Sequence, residues 1–139
     1  MPVPEIPMSL NTSPCPCDSG RPYSSCCGRW HAGALHLQAP DAQALMRSRY
    51  SAFVLDLTDY LRDTWHPGTR PDSIEPNPAG LKWLGLSIKG HARQDDTHAT
   101  VEFVARSRWQ GKGERLHETS RFVLEEGRWF YVDGTLHDK

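Results

Sequence analysis

From Ala42 to Leu57 apolar side chains recur at helical spacing: Ala42, Leu45, Met46, Tyr50, Phe53, Val54 and Leu57 share one face. Pro40-Asp41 ahead of them supplies a turn and a helix cap. Thr58 is placed to cap a second, shorter helix in which Tyr60, Leu61, Thr64 and Trp65 fall together, and His66-Pro67-Gly68 stops it. Residues 66–80 carry Pro67, Pro71, Pro76 and Pro78 with Gly68 and Gly80, the composition of an extended loop. A loop of about fifteen residues is long for a compact domain and is more often functional or mobile than inert. The period then drops to two. Leu84, Leu86, Ile88 and Ala92 alternate with polar or small residues, and after Asp95-Asp96 so do Ala99, Val101, Phe103 and Ala105. Gly111-Lys112-Gly113 marks the next turn; Leu116, Ser120, Phe122 and Leu124 lie on one face of a third strand, and Glu126-Gly127 leads into a fourth over Arg128–Val132.

Two helices followed by an antiparallel meander of about four strands predict an α+β domain over residues 41–139, with the helices covering one sheet face. The chain ahead of it reads differently. Residues 1–13 hold three prolines and few apolar side chains, the pattern of a loose tail. Residues 14–31 form a cysteine-rich unit, and residues 32–40 read as a short linker.

All four cysteines lie between Cys15 and Cys27. Cys15/Cys17 and Cys26/Cys27 are separated by a stretch containing Ser19-Gly20, a turn signal that lets the chain fold back so that four sulfurs can surround one ion. Zinc accepts four thiolates tetrahedrally, and a site filled by four protein ligands leaves no position for water or substrate, so one structural Zn²⁺ is expected. The rival reading is a pair of disulfides, suited to a secreted protein. Against it, the amino terminus shows no basic start and no apolar run of about 7–15 residues, and direct bridging within either cysteine pair makes a strained ring. A cytoplasmic location is therefore expected. No stretch approaches the roughly 20 apolar residues a membrane-spanning helix requires. Tyr23 and Trp30 are the large apolar side chains of this unit, so metal coordination is expected to supply its folding free energy, and removing the ion to unfold that piece alone. His31 reads as a surface histidine and a spare ligand.

The 139 residues carry 16 Lys plus Arg against 17 Asp plus Glu, a formal charge of −1. A tetrathiolate zinc centre counted as −2 takes this to about −3. Through residue 40 the charged side chains are Glu5, Asp18, Arg21 and Arg29, which cancel. Neither charge nor spacing fits sequence-specific DNA binding.

The run Cys15-Pro16-Cys17-Asp18-Ser19-Gly20-Arg21-Pro22-Tyr23-Ser24-Ser25-Cys26-Cys27-Gly28-Arg29 resembles the SEC-C motif, the zinc-binding tail element of the SecA translocase, where it contacts the SecB chaperone and the ribosome. The translocase version usually carries histidine where this chain has Cys27. Beyond the motif, Leu45–Tyr50, Thr64–Pro67, Trp83–Leu86, Val101–Arg106, His117-Glu118 and Trp129–Gly134 resemble the YchJ family of bacterial proteins. That resemblance implies a nuclear-transport-factor-2-like cone, in which a curved sheet wraps a helix and leaves a pocket. Many family members carry a second, carboxyl-terminal cysteine motif, so one zinc is the stoichiometry implied here. The resemblance further implies a partner among proteins or ribosome-associated particles, reached through Arg21, Tyr23, Arg29 and Trp30, since arginine and aromatic side chains dominate binding hot spots. In the bland alternative the metal only staples the terminus.

Arg47, Arg49, Tyr50, Trp65, His66, Trp83 and His117 are the candidate pocket residues, with Glu118 and Asp133 as further polar groups. They form no diagnostic catalytic constellation, and no catalytic residue is assigned. His117 and Glu118 are strand neighbours and point to opposite faces. His66 also has the role of ending a helix before Pro67. Arg49 lies near the apolar stripe and is expected either to pair with Glu102 or Glu118 or to face the pocket as an anion binder. A small-molecule binder or enzyme using the pocket, with zinc purely structural, is the second functional reading.

Overall fold

In the computed structural model, which describes residues 13–137, a 3-10 turn at Tyr23–Ser25 and a single-turn helix α1 (Gly28–His31) precede the long helix α2 (Ala42–Val54) and the short helix α3 (Thr58–Asp63). Four strands follow: β1 (Lys82–Arg93), β2 (His98–Trp109), β3 (Lys112–Glu125) and β4 (Arg128–Leu136). The loose tail expected over residues 1–13 lies outside the described residues up to residue 12. Asp41 opens α2 by accepting a hydrogen bond from Ala44 N at 2.7 Å, the capping geometry its sequence position implied. Thr58 is the first residue of α3 rather than its cap, and makes no side-chain capping bond.

The strands form one antiparallel meander in the order β1-β2-β3-β4. Ala99, Val101, Phe103 and Ala105 of β2 are all buried, and on the same face Phe122 pairs with Tyr131 and Leu124 with Trp129. The expected alternation fails at two places in β1, Leu84 and Ala92, both of which are exposed. The β1/β2 register slips between Trp83 and Gly85, so Leu84 is 54% exposed while Leu86 is buried. Further slips fall between Ile88 and Gly90 of β1 and opposite Arg121/Phe122 of β3. Each extra residue bends its strand, which curves the sheet around α2.

Each outer strand is met at one point by another segment of the chain. Beside β4, His66 N donates to Tyr131 O at 2.7 Å and Tyr131 N to Thr64 O at 2.8 Å. Beside β1, Leu86 N donates to Asp18 Oδ2 at 3.1 Å, so the cysteine segment itself shields that edge. Gly85 makes this approach feasible, because a Cβ there would lie 2.9 Å from the same carboxylate oxygen. The proline-rich loop is pinned at Asn77, whose Nδ2 donates to Phe53 O at 2.6 Å and whose N donates to Asp56 Oδ1 at 2.9 Å.

The cysteine-rich unit is not a detachable, coreless piece. Tyr23 is fully buried, Trp30 is 7% exposed, and both belong with Leu45, Met46 and Tyr50 to one continuous apolar core. Burying an aromatic ring of this size contributes about 2–3 kcal/mol. Gly28 lets the segment fold tightly around Tyr23: a Cβ there would sit 2.8 Å from the Tyr23 carbonyl oxygen.

His31 is likewise no surface residue; it is 1% exposed. Its Nε2 bonds Ser48 O at 2.8 Å, and a carbonyl can only accept, so the proton is on Nε2. Nδ1 is then the acceptor for the Tyr23 hydroxyl. Ser48 Oγ in turn donates to Leu45 O and accepts from the Tyr60 hydroxyl, both at 2.7 Å. A buried polar line thus runs from the cysteine segment through α2 to α3. Each such bond contributes about 0.5–1.5 kcal/mol, and leaving one partner unpaired costs more.

Burial pushes the His31 imidazole down to about 4 from the ordinary 6.5. The folded state therefore takes up this proton later than the unfolded chain as pH falls. Its contribution is complete above pH 6.5 and is lost as pH drops towards about 4, by roughly 3 kcal/mol. Imidazole signals followed by NMR should show His31 neutral through that interval; a midpoint near 6.5 contradicts the buried line.

Candidate functional site

The turn that gathers the sulfurs is built from backbone. Cys15 N donates to Arg21 O at 2.9 Å and Asp18 N to Cys15 O at 3.2 Å, with Asp18 (φ 63°) and Gly20 (φ 86°) in the left-handed region that reverses the chain. Pro14 bridges Pro22, and Tyr23 N donates to Ser13 O at 2.9 Å, closing the base of the loop. The 3-10 turn then presents Cys26 and Cys27 opposite Cys15 and Cys17. The four Sγ atoms all lie within 4.8 Å of one another, all four cysteines are buried, and none is in a disulfide. Bonds of about 2.3 Å to a tetrahedral ion require sulfurs about 3.8 Å apart; Cys17 and Cys26 are at 3.6 Å. The donor set and its spacing fit a metal ion.

Helix α2 supplies the surroundings. Arg47 NH1 donates to Cys17 O at 2.9 Å and lies 3.7 Å from Cys17 Sγ, while Ser51 Oγ is 3.5 Å from Cys15 Sγ. Ser19 Oγ lies 3.0 Å from Cys26 Sγ. Hydrogen bonds from Cys15 and Cys27 hold the Cys17 thiol far below its usual range, with Ser19 adding to them. Cys26 is drawn down to about 6, first by Cys27 and then by Ser19. Cys15 and Cys27 keep their own protons and donate: Cys17 pushes the Cys15 thiol up, and Cys15, Cys17 and Cys26 push up that of Cys27. A divalent cation relieves this sharing by letting all four ligands deprotonate.

Of the residues expected to face a partner, Arg21 is exposed. Arg29 is half-buried: its Nε donates to Cys26 O at 2.9 Å and its guanidinium lies 4.4 Å over the Trp30 ring. Tyr23 and Trp30 are core residues and are not presented.

A cavity of about 280 Å³ lies between α2 and the sheet, and Arg49, Tyr50, Trp65 and Trp83 line it together with Glu118. The other pocket candidates are elsewhere. Arg47, two residues from Arg49, projects to Cys17 instead. His66 stands beside β4 with Nε2 3.0 Å from Glu125 Oε2. His117 faces the opposite side of the sheet, 2.6 Å from Glu102 and stacked on His137 at 4.2 Å; these three side chains bring potential ligand atoms within 4.8 Å of one another. Asp133 pairs with Arg121.

Arg49 is 4% exposed, yet no carboxylate lies within 4.0 Å of it among the described residues, so the expected ion pair is not formed. Its NH1 donates to Leu61 O at 2.8 Å and Thr64 Oγ1 at 2.7 Å, and its guanidinium sits 4.5 Å from the Tyr131 ring centre and 5.3 Å from that of Trp65. Burial lowers it to about 10, which leaves it charged at neutral pH. Ser48 and Ser51 were not singled out as site residues, and His31, expected as a surface histidine and spare ligand, instead holds the cysteine segment to α2. The signal for the serines was present, as polar side chains interrupting the apolar stretch of α2.

Comparison with known proteins agrees with this arrangement. Residues 41–134 match the family model described as YchJ, middle NTF2-like domain, and residues 12–29 match the SEC-C motif. A UPF0225 protein of Bordetella pertussis is 70% identical over 122 residues, covering 88% of this chain and 92% of its own length. One from Methylibium petroleiphilum is 58% identical over 125 residues, covering 89% and 90%. The solution structure of a SEC-C motif containing protein from Rhodopseudomonas palustris superposes with a TM-score of 0.78 at 34% identity, covering 91% of this chain and all of that one. A crystal structure of a SEC-C motif containing protein from Psychrobacter arcticus gives 0.74 at 26% identity, covering 95% and 87%. With an NTF2-like domain behind a SEC-C cysteine cluster, the chain belongs to the YchJ family.

Proposed function

We propose that this chain is a cytoplasmic protein that holds one structural zinc ion, and that its SEC-C motif docks onto a protein or ribonucleoprotein partner. The observation that carries the first part is the convergence of four buried thiols, donated by both sides of one turn and hydrogen-bonded from behind by Ser19, Ser51 and Arg47. Four soft sulfur donors select zinc over hard cations. A site closed by four protein ligands supports a structural ion. Arg47 offsets part of the negative charge that four thiolates carry, and the same outer-shell contacts fix ligand orientation.

The docking surface this supports is smaller than the motif alone suggests. With Tyr23 and Trp30 in the core, the remaining groups are Arg21, which is exposed, and Arg29, whose guanidinium is held over the Trp30 ring and so loses little freedom on binding. An arginine pair on a rigid, metal-held turn suits an acidic protein face or a phosphate backbone.

Elemental analysis of the freshly purified, reduced chain should find one zinc per molecule. Cys26→Ser is expected to lose it and to lower the melting temperature of the whole chain by about 10 °C, because the segment shares the main core. Melting of the segment alone, with residues 41–139 unaffected, contradicts that shared core. Arg47→Met should keep the fold and release zinc to a competing chelator with an affinity about 10-fold weaker.

For docking, Arg21→Ala combined with Arg29→Ala should retain zinc yet lose most capture of its partner from native lysate, or most co-sedimentation with ribosomes. Unchanged capture by the zinc-loaded double variant ends the docking reading and leaves the zinc reading standing.

A further inference from the structure

The cavity between α2 and the sheet holds a buried cation that no carboxylate contacts among the described residues, Glu118 in the same lining opposing it only at longer range. Arg49 is a buried cation whose NH1 is satisfied twice, by Leu61 O and Thr64 Oγ1, while its Nε and NH2 make no hydrogen bond among the described residues. A guanidinium taken out of water is ordinarily compensated by a carboxylate or by several carbonyls. Here one face of it rests on Tyr131 and Trp65 instead. Trp65, on the same wall, has a buried indole Nε1 with no partner. That nitrogen is sealed off from the open space, so the donors left over at one side of a cavity of about 280 Å³ are those of Arg49.

The remaining walls specify what can fill it. Trp83, Phe103 and Tyr131 present ring surface, and Leu116, exposed to solvent, lies at the rim. The volume suits a single ring with its substituents, at the lower end of the range of ligand pockets. Glu118 also lines the cavity; one of its oxygens accepts from Ser120, leaving the other as an acceptor. Against that carboxylate a doubly charged phosphate is repelled about twice as strongly as a single negative charge, so a monoanion in contact with Arg49 is the better fit.

We propose that this cavity is a binding site for a small aromatic monocarboxylate, its carboxylate held by Arg49 and its ring stacked among Trp83, Phe103 and Tyr131. A hydroxyl or amino group on the far side of the ring would donate to Glu118. This site is separate from the metal centre, which lies on the other side of α2's polar row, and it stands or falls independently of zinc and of docking.

The test titrates the full, zinc-loaded chain at neutral pH with benzoate, 4-hydroxybenzoate and the neutral analogue benzamide, followed by NMR and by tryptophan fluorescence. Saturable shifts of the Trp65 and Trp83 indole signals are expected at ligand concentrations of roughly 0.1–1 mM. Benzamide should bind about 10-fold more weakly than benzoate, since it lacks the charge-assisted contact. Glu118→Gln, which removes the opposing charge and keeps the shape, should tighten benzoate about 10-fold. Arg49→Met should abolish binding. Should that variant fail to fold, the benzamide comparison and Glu118→Gln still decide. Equal affinity for benzoate and benzamide, no tightening in Glu118→Gln, shifts confined to residues outside the cavity, or no saturation up to about 10 mM each overturns the proposal.

Discussion

The buried line from Tyr23 through His31 to the Ser48 carbonyl is the interaction on which the architecture turns. It fixes a segment with few apolar side chains of its own against the one helix able to complete it. Four sulfurs alone define a centre but not its place in the molecule. His31, neutral and with its proton assigned to Nε2, supplies that placement, because one ring bonds the cysteine turn on one side and α2 on the other. The sulfurs then meet Ser51 and Arg47 on adjoining turns of the same helix. Thiol cluster and helix are thus complementary constraints: the turn gathers the four sulfurs, and α2 orients it.

This dependence explains which features were legible in the sequence. The apolar stripe of α2, its Asp41 cap, the four strands and the division of His117 and Glu118 between opposite sheet faces all follow from local periodicity, and the fold shows them. Cysteine spacing together with Ser19-Gly20 was enough to bring four thiols together. Tyr23, Trp30 and His31 were misplaced for one common reason. Within residues 14–31 they look like side chains without a core to enter, but their core is supplied by Leu45, Met46 and Tyr50 from the following helix. No local pattern encodes that packing.

Two finer errors have different causes. Arg47 and Arg49 are two residues apart on α2, so about 200° of rotation separates them; helical geometry alone divides them between the sulfurs and the cavity. Leu84 was placed inside by strict alternation, but the slip before Gly85 turns it outward. The slip accompanies the approach of Asp18 to the Leu86 amide, a contact that closes only in three dimensions.

Seen from α2, the protein is arranged around a single helix carrying two unlike polar rows. Arg47 and Ser51 face a cluster of thiols that gains from positive charge, whereas Arg49 faces an aromatic cavity where its own charge is incompletely answered. Both rows belong to one rigid cylinder, capped by Asp41 at one end and packed against α3 and the sheet along its length. A helix so held cannot rotate to favour one row without moving the other. One helix thus serves both: Arg47 and Ser51 meet the sulfurs, while Arg49 is held toward the cavity by Leu61 O and Thr64 Oγ1 and by the rings of Tyr131 and Trp65.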